Sequence, residues 1–319
     1  MILLFLLITL FGCGREHPEP IAARPLEAFE LQAEYLTSRL LAKHLDGGYI
    51  VSRESDGTPA HQGDALLWSG IALGLLPCEA GRPIFDAIAA SAENRGGELV
   101  RFEPLPAEYA TNPTSRDQLL GLMWGLVRRG NRCPGDGEAI HFLWTTHRDY
   151  VESAGSLSLA GDPLRSNLTP AFHFVWRAVG KWLLEGSELD ETPLVVEAAI
   201  LADALRILSF RGPCYPLHLA MLEQLILFET RNTVSKTFKA QFCETTNAAS
   251  IALIDWYCER DASPVESYLK NFVLNEYEYS HQRCPDWETP DGRASLDTPG
   301  LDWLIIYHLA REGLSNGEH

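Results

Sequence analysis

"NPTSRDQLLGLMWGLVRRG", residues Asn112 to Gly130, sets four polar residues, Ser115, Arg116, Asp117 and Gln118, directly ahead of a run that is apolar or glycine from Leu119 to Val127. A helix that is apolar on every face is buried on every face, so this one must be enclosed by others. Ser115 with Gln118 three residues on reads as a capping box, and Asp117 suits the positive end of the helix dipole. Both readings fix a helix start at the polar block and leave open what else that block does.

The same reading extends along the chain as two alternating helix types. Amphipathic, half-exposed helices are expected in "LEAFELQAEYLTSRLLAKHL" (Leu26 to Leu45), "IFDAIAASAEN", "EAIHFLWTTHRDYV", "YPLHLAMLEQLILFETRN" and "SPVESYLKNFVLNEY". In the last of these Ser263 is the expected cap, Pro264 the first helical residue and Glu266 the capping-box partner. Buried helices are expected in "DALLWSGIALGLL", "DQLLGLMWGLV", "TPAFHFVWRAVG", "TTNAASIALIDWYC" and "TPGLDWLIIYHLAR". Their starts at Asp64, Asp117, Thr169, Thr246 and Thr298 are separated by 53, 52, 77 and 52 residues, and the long gap holds "LVVEAAILADALRILSF", read as one more buried helix. "DALL" matches "DQLL", and Gly70/Gly74 echo Gly121/Gly125; glycines four apart let two helices approach closely.

The chain has 319 residues, 46% of them hydrophobic, enough for a substantial core. Its net charge is −17, from 43 Asp and Glu against 26 Lys and Arg, with no basic stripe. Nucleic acid is therefore excluded as a partner class, and neutral or cationic ligands are easier to hold. No GxSxG, P-loop, GxGxxG or HExxH motif is present, and "SYLK" (Ser267 to Lys270) meets SxxK only by chance within an amphipathic helix. No cofactor and no metal are expected, since neither CxxC nor a His/Cys cluster at zinc spacing occurs.

The N-terminus is apolar from Ile2 to Phe11, too short to cross a bilayer, which takes roughly 20 helical residues, and is read as a signal segment. "LFGC", ending at Cys13, resembles the lipobox of bacterial lipoproteins. That resemblance implies removal of residues 1–12, a lipid anchor on Cys13, a tether over 13–25 and, with no Asp after Cys13, an outer-membrane lipoprotein facing the periplasm or exterior. Six cysteines remain, an even number suited to an oxidising compartment and to disulfides.

About six outer and six inner helices in pairs of roughly 50 residues, with long loops before the inner member, suggest a repeat array closing on itself. It looks like the (α/α)6 toroid of several glycoside hydrolase and polysaccharide lyase families. The expected fold class is thus all-α, one toroid domain over residues 26–319. In that arrangement the inner helices run parallel, and the blocks His61–Asp64, Ser115–Gln118, Arg165–Thr169, Cys243–Asn247 and Cys284–Gly292 share one rim. Pairing of cysteines within a rim gives Cys78–Cys133, Cys243–Cys284 and, by remainder, Cys214–Cys258.

The toroid resemblance points to a carbohydrate ligand. Glycosidic cleavage commonly uses two carboxyl groups across the bond, and Asp64 and Asp117 occupy equivalent places on neighbouring inner helices. They are the expected catalytic pair, although an Asp at a helix start is also the ordinary capping residue. Expected substrate contacts are His61, Arg116, Gln118, Asn167, Glu244, Asp286, Trp287 and Glu288; Arg165 is a further cation, and Trp68 and Trp124 read as packing. His173 reads equally as a core residue and as a functional group. The alternatives are a polysaccharide lyase, or a non-enzymatic envelope lipoprotein that binds a glycan or a partner protein.

Overall fold

The computed structural model describes residues 28–54, 56–60, 62–153, 169–189, 192–209, 215–232, 234–246, 254, 257–258, 262–271 and 300–315. The chain is all-α. Helix α1 spans Glu30–Arg39 and runs into a wider turn, Leu40–His44. Then come α2 (Ala65–Leu75), α3 (Cys78–Asn94), α4 (Arg116–Arg132), α5 (Gly137–Ser153), α6 (Pro170–Glu185), α7 (Leu194–Ser209), α8 (Tyr215–Glu229), α9 (Lys236–Thr246), α10 (Ala262–Asn271) and α11 (Leu301–Ser315). Two short antiparallel ribbons, β1 (Leu45–Asp46) with β2 (Tyr49–Ile50) and β3 (Ser52–Arg53) with β4 (Pro59–Ala60), link α1 to α2. The helical reading of the sequence does not foresee them; the signal for the first is the turn dipeptide Gly47-Gly48.

Helices α2 and α4 form the most closely packed pair. All of α2 is buried, and α4 is buried from Asp117 to Arg129. The expected glycine contact is present: a Cβ at Gly125 would collide with the Gly70 carbonyl oxygen, and one at Gly121 would stand 2.7 Å from that of Leu67. The two backbones touch, with no side-chain layer between them. Helix α4 packs also on α6 and α8, α6 on α7 and α8, and α11 on α2 and α1. The half-exposed helices α3 and α5 lie outside, burying Ile84, Phe85, Ile88 and Ala92 from one and Ile140, Leu143, Trp144, His147 and Val151 from the other.

Two assignments are exchanged. Helix α8, expected outside, is buried at every residue from Leu219 to Leu227, whereas α7, expected inside, exposes Leu194 (78%) and Val195 in its first turn. Glu223 and Gln224 mark a polar face in the sequence, yet both are buried, and Gln224 accepts a hydrogen bond from Tyr257 Oη at 3.1 Å. Thr246, expected to open a buried helix, instead ends α9. Helix α10 starts one residue ahead of its expected cap Ser263 and buries Val265, Tyr268 and Leu269.

The Cys78–Cys133 bridge forms as expected, with a Cα separation of 5.7 Å. Cys243 pairs with Cys258 at 5.5 Å, which overturns both Cys243–Cys284 and Cys214–Cys258. Cys243 sits within α9 and not on a loop before an inner helix, so a cysteine only 15 residues on comes within reach. Cys214 and Cys284 lie outside the described residues.

The C-terminal ends of the buried helices meet at "VRRGNR". Arg128, stacked 5.0 Å from the Trp124 ring, donates to Gly74 O and forms ion pairs with Glu229 of α8 and Glu312 of α11, each at 2.6 Å. Burial opposes its charge, but the two carboxylates hold its pKa above the ordinary value. Arg132 donates to the carbonyls of Gly74 and Leu75, so an arginine of α4 satisfies the last carbonyls of α2, and Arg129 donates to Cys78 O at the start of α3.

Candidate functional site at the helix N-termini

Asp64 ends the turn Gln62–Asp64 and stands at the N-cap of α2; Ser115 stands at the N-cap of α4. Neither side chain caps its own helix. The N–H of Leu67, third residue of α2, donates instead to Gln118 Oε1 of the neighbouring helix at 3.0 Å. The expected Ser115/Gln118 capping box is therefore absent, because the glycine contact brings Gln118 beside a buried N–H that its own helix leaves unsatisfied.

With Oε1 committed to Leu67, the Gln118 amide nitrogen can only face the other way. It lies 3.4 Å from Asp64 Oδ1 and 3.4 Å from Asp117 Oδ2, two long hydrogen bonds that set the carboxylate oxygens no more than twice that distance apart. Ser115 gives its hydroxyl proton to Asp117 Oδ1. Asp117 is 5% exposed and Gln118 fully buried, whereas Asp64 is half-buried. Gln118 thus positions the two carboxylates and does not itself reach solvent. Arg116, the first residue of α4, is half-buried at the same edge.

The loop before α4 supplies two residues that the sequence reading misses. Arg101, 6% exposed, donates from Nη1 to Gly63 O at 2.7 Å and from Nε to Asn112 O at 3.0 Å, and its guanidinium carbon lies 5.3 Å from the centroid of the Tyr109 ring. Tyr109 lies on Gly63, where a Cβ would come within 2.7 Å of the ring carbon Cζ; only glycine fits beneath it. An arginine inside the otherwise apolar "LVRF" is the one sequence signal for this arrangement.

Of the other expected contacts, Glu244 is exposed on α9, which packs on α7, and takes no part in the Asp64–Gln118–Asp117 network. His173 is exposed on α6 and is not a core histidine. Trp68 and Trp124 are buried packing residues, as expected. His61, Asn167, Arg165, Asp286, Trp287, Glu288 and the anchor Cys13 lie outside the described residues. Among the described residues no group of three or more His, Cys, Asp or Glu side chains could hold a metal, and no helix is long and apolar enough to cross a membrane. Burial lowers the pKa of His44, His147 and His308 to about 4. Comparison with protein-family models, curated proteins and solved structures finds no match for this chain.

Proposed function

We propose that the chain is an extracytoplasmic protein, anchored by lipid at Cys13 in the outer membrane, that acts on a glycan as a glycoside hydrolase with Asp64 and Asp117 as its acid/base pair. One observation carries the reading. Asp64 holds the N-cap position of α2 without capping it, and Asp117 lies in the first turn of α4: Gln118 takes the capping role at α2, and its amide gathers the two carboxylates at one point. Their spacing falls within reach of the roughly 5–9.5 Å that glycosidic cleavage requires. The closed (α/α)6 toroid belongs to the same proposal, supported by the alternation of buried and half-exposed helices and by the return of α11 to α1 and α2. Two disulfides suit the oxidising compartment.

Purified protein assayed against a panel of envelope and exopolysaccharides tests the enzyme. Asp64→Asn and Asp117→Asn are each expected to lower turnover by at least about 100-fold while remaining folded. Turnover of no glycan by the wild type, or unchanged turnover in both folded variants, would sink it. A second reading has its own observation: Asp117 is nearly enclosed and engaged by Ser115, as suits an envelope protein that binds a glycan or partner without cleaving it. Binding without product on the same panel would establish that reading instead. The anchor is tested separately, since Cys13→Ser should release a soluble, folded protein.

A further inference from the structure

Arg101 is a buried cation with neutral partners. Its guanidinium is engaged by two backbone carbonyls and one aromatic face, and among the described residues no carboxylate pairs with it. Its Nη2 has no hydrogen-bond partner there either. Arg128 and Arg129 of helix α4, buried at least as deeply, are each matched by a carboxylate at 2.6 Å. A chain of net charge −17 has no shortage of carboxylates to place beside Arg101. Leaving a buried charge without a counter-ion is costly unless something else supplies one.

The position of Arg101 says what that something is. It holds the carbonyl of Gly63, the residue before Asp64, and clamps the Tyr109 ring onto the same glycine. A guanidinium with its Nη2 uncommitted and an aromatic ring, both set against the backbone of Gly63 beside Asp64, offer a sugar the two contacts it can use: a cationic donor for an anionic substituent and a ring for its apolar face. We propose that Arg101 and Tyr109 form a subsite beside Asp64 for a sugar bearing an anionic group, so that the substrate is an acidic glycan. This rests on the reading of the Asp64 edge as the place where a glycan binds, though not on its being cleaved there. Arg101 is the specificity residue, and Gly63 and Asn112 position it.

Binding is measured on the folded, anchor-free chain by the change in tryptophan fluorescence, with three oligosaccharide probes: one carrying uronate carboxylates, one carrying sulfate esters on an otherwise neutral backbone, and one neutral. The wild type is expected to bind one or both acidic probes at least about tenfold more tightly than the neutral one, and to lose that preference as salt is raised to about 1 M. The uronate and sulfate arms distinguish which anion is taken. Arg101→Lys keeps the charge but loses the planar guanidinium and should weaken the acidic probe about tenfold more than the neutral one. Tyr109→Ala should weaken acidic and neutral probes alike by losing the stacking face. Should Arg101→Lys fail to fold, the salt dependence and the acidic-to-neutral ratio of the wild type decide. Equal binding of neutral and acidic probes, salt-independent binding, or binding of no probe overturns the proposal. Preferred binding of an acidic probe without its cleavage leaves the subsite standing and removes the hydrolase alone, whereas cleavage of the neutral probe with equal rates in wild type and Arg101→Lys does the reverse.

Discussion

Gly125 shows how little room the α2–α4 contact leaves. A methyl group there would enter the Gly70 carbonyl, and neither backbone can retreat without moving a whole buried helix. Gly125→Ala is expected to cost more than about 3 kcal/mol or to abolish folding, beyond the usual range for overpacking because the obstacle is backbone. Gly135→Ala, where the added carbon meets nothing, should stay within about 0.5 kcal/mol; urea denaturation of the pair measures the difference. His147 makes a different prediction. Its Nδ1 donates to Gly97 O and burial lowers its pKa from 6.5 to about 4, so the unfolded chain takes up a proton that the native one refuses. Stability is complete above pH 6.5 and falls as pH drops toward 4, by up to about 3 kcal/mol from this residue. In His147→Asn, which can still donate to Gly97, the loss of urea midpoint between pH 7 and pH 4.5 should shrink. The spacing of Gly70, Gly74, Gly121 and Gly125 makes the helix contact legible in the sequence, since glycine has one physical use at such positions. The burial of His147 is not legible, because a histidine on an amphipathic helix has no pattern of its own.

Among the elements, the N-terminal polar block is the part that the sequence describes correctly in place and wrongly in wiring. Ser115, Asp117 and Gln118 do open a buried helix, but Gln118 satisfies α2 and not its own helix, since capping rules are local and the glycine contact is not. Gln118→Met is accordingly expected to cost about 1–3 kcal/mol, more than a surface cap, by stranding the buried Leu67 N–H. Hydrogen exchange should quicken first at Leu67. The outward placement expected for α8 fails for the same reason: polarity in a sequence signals solvent only when no partner exists inside, and Gln224 has one. The Cys78–Cys133 bridge spans 55 residues and ties the end of α4 to the start of α3. Its reduction should lower stability by about 2–5 kcal/mol, read as a shift of the urea midpoint with and without a thiol reductant.

At the scale of the molecule, three distant helix ends converge on Arg128, from α4, α8 and α11. Arg128→Met removes the cation and leaves Glu229 largely buried without its partner; the expected cost is about 3–5 kcal/mol. Amide exchange in α11 should rise more than in α5, which does not depend on this centre. Nothing in "VRRGNR" announces that role, since a basic cluster at a helix C-terminus already has a sufficient local reason in the helix dipole. The contact of α11 with α1 and α2 also sets a timetable for the chain. Contacts between neighbouring helix pairs can form while the rest of the chain is still being synthesised, but the flank of α2 that packs on α11 stays uncovered until α11 arrives. Closing so long a span is the slow event in folding, because the entropy of bringing distant segments together must be met before their contacts form. Until then the polypeptide presents an apolar flank of α2 to whatever surrounds it, so a chaperone that shields α2 would be needed only for that interval and would be released by α11.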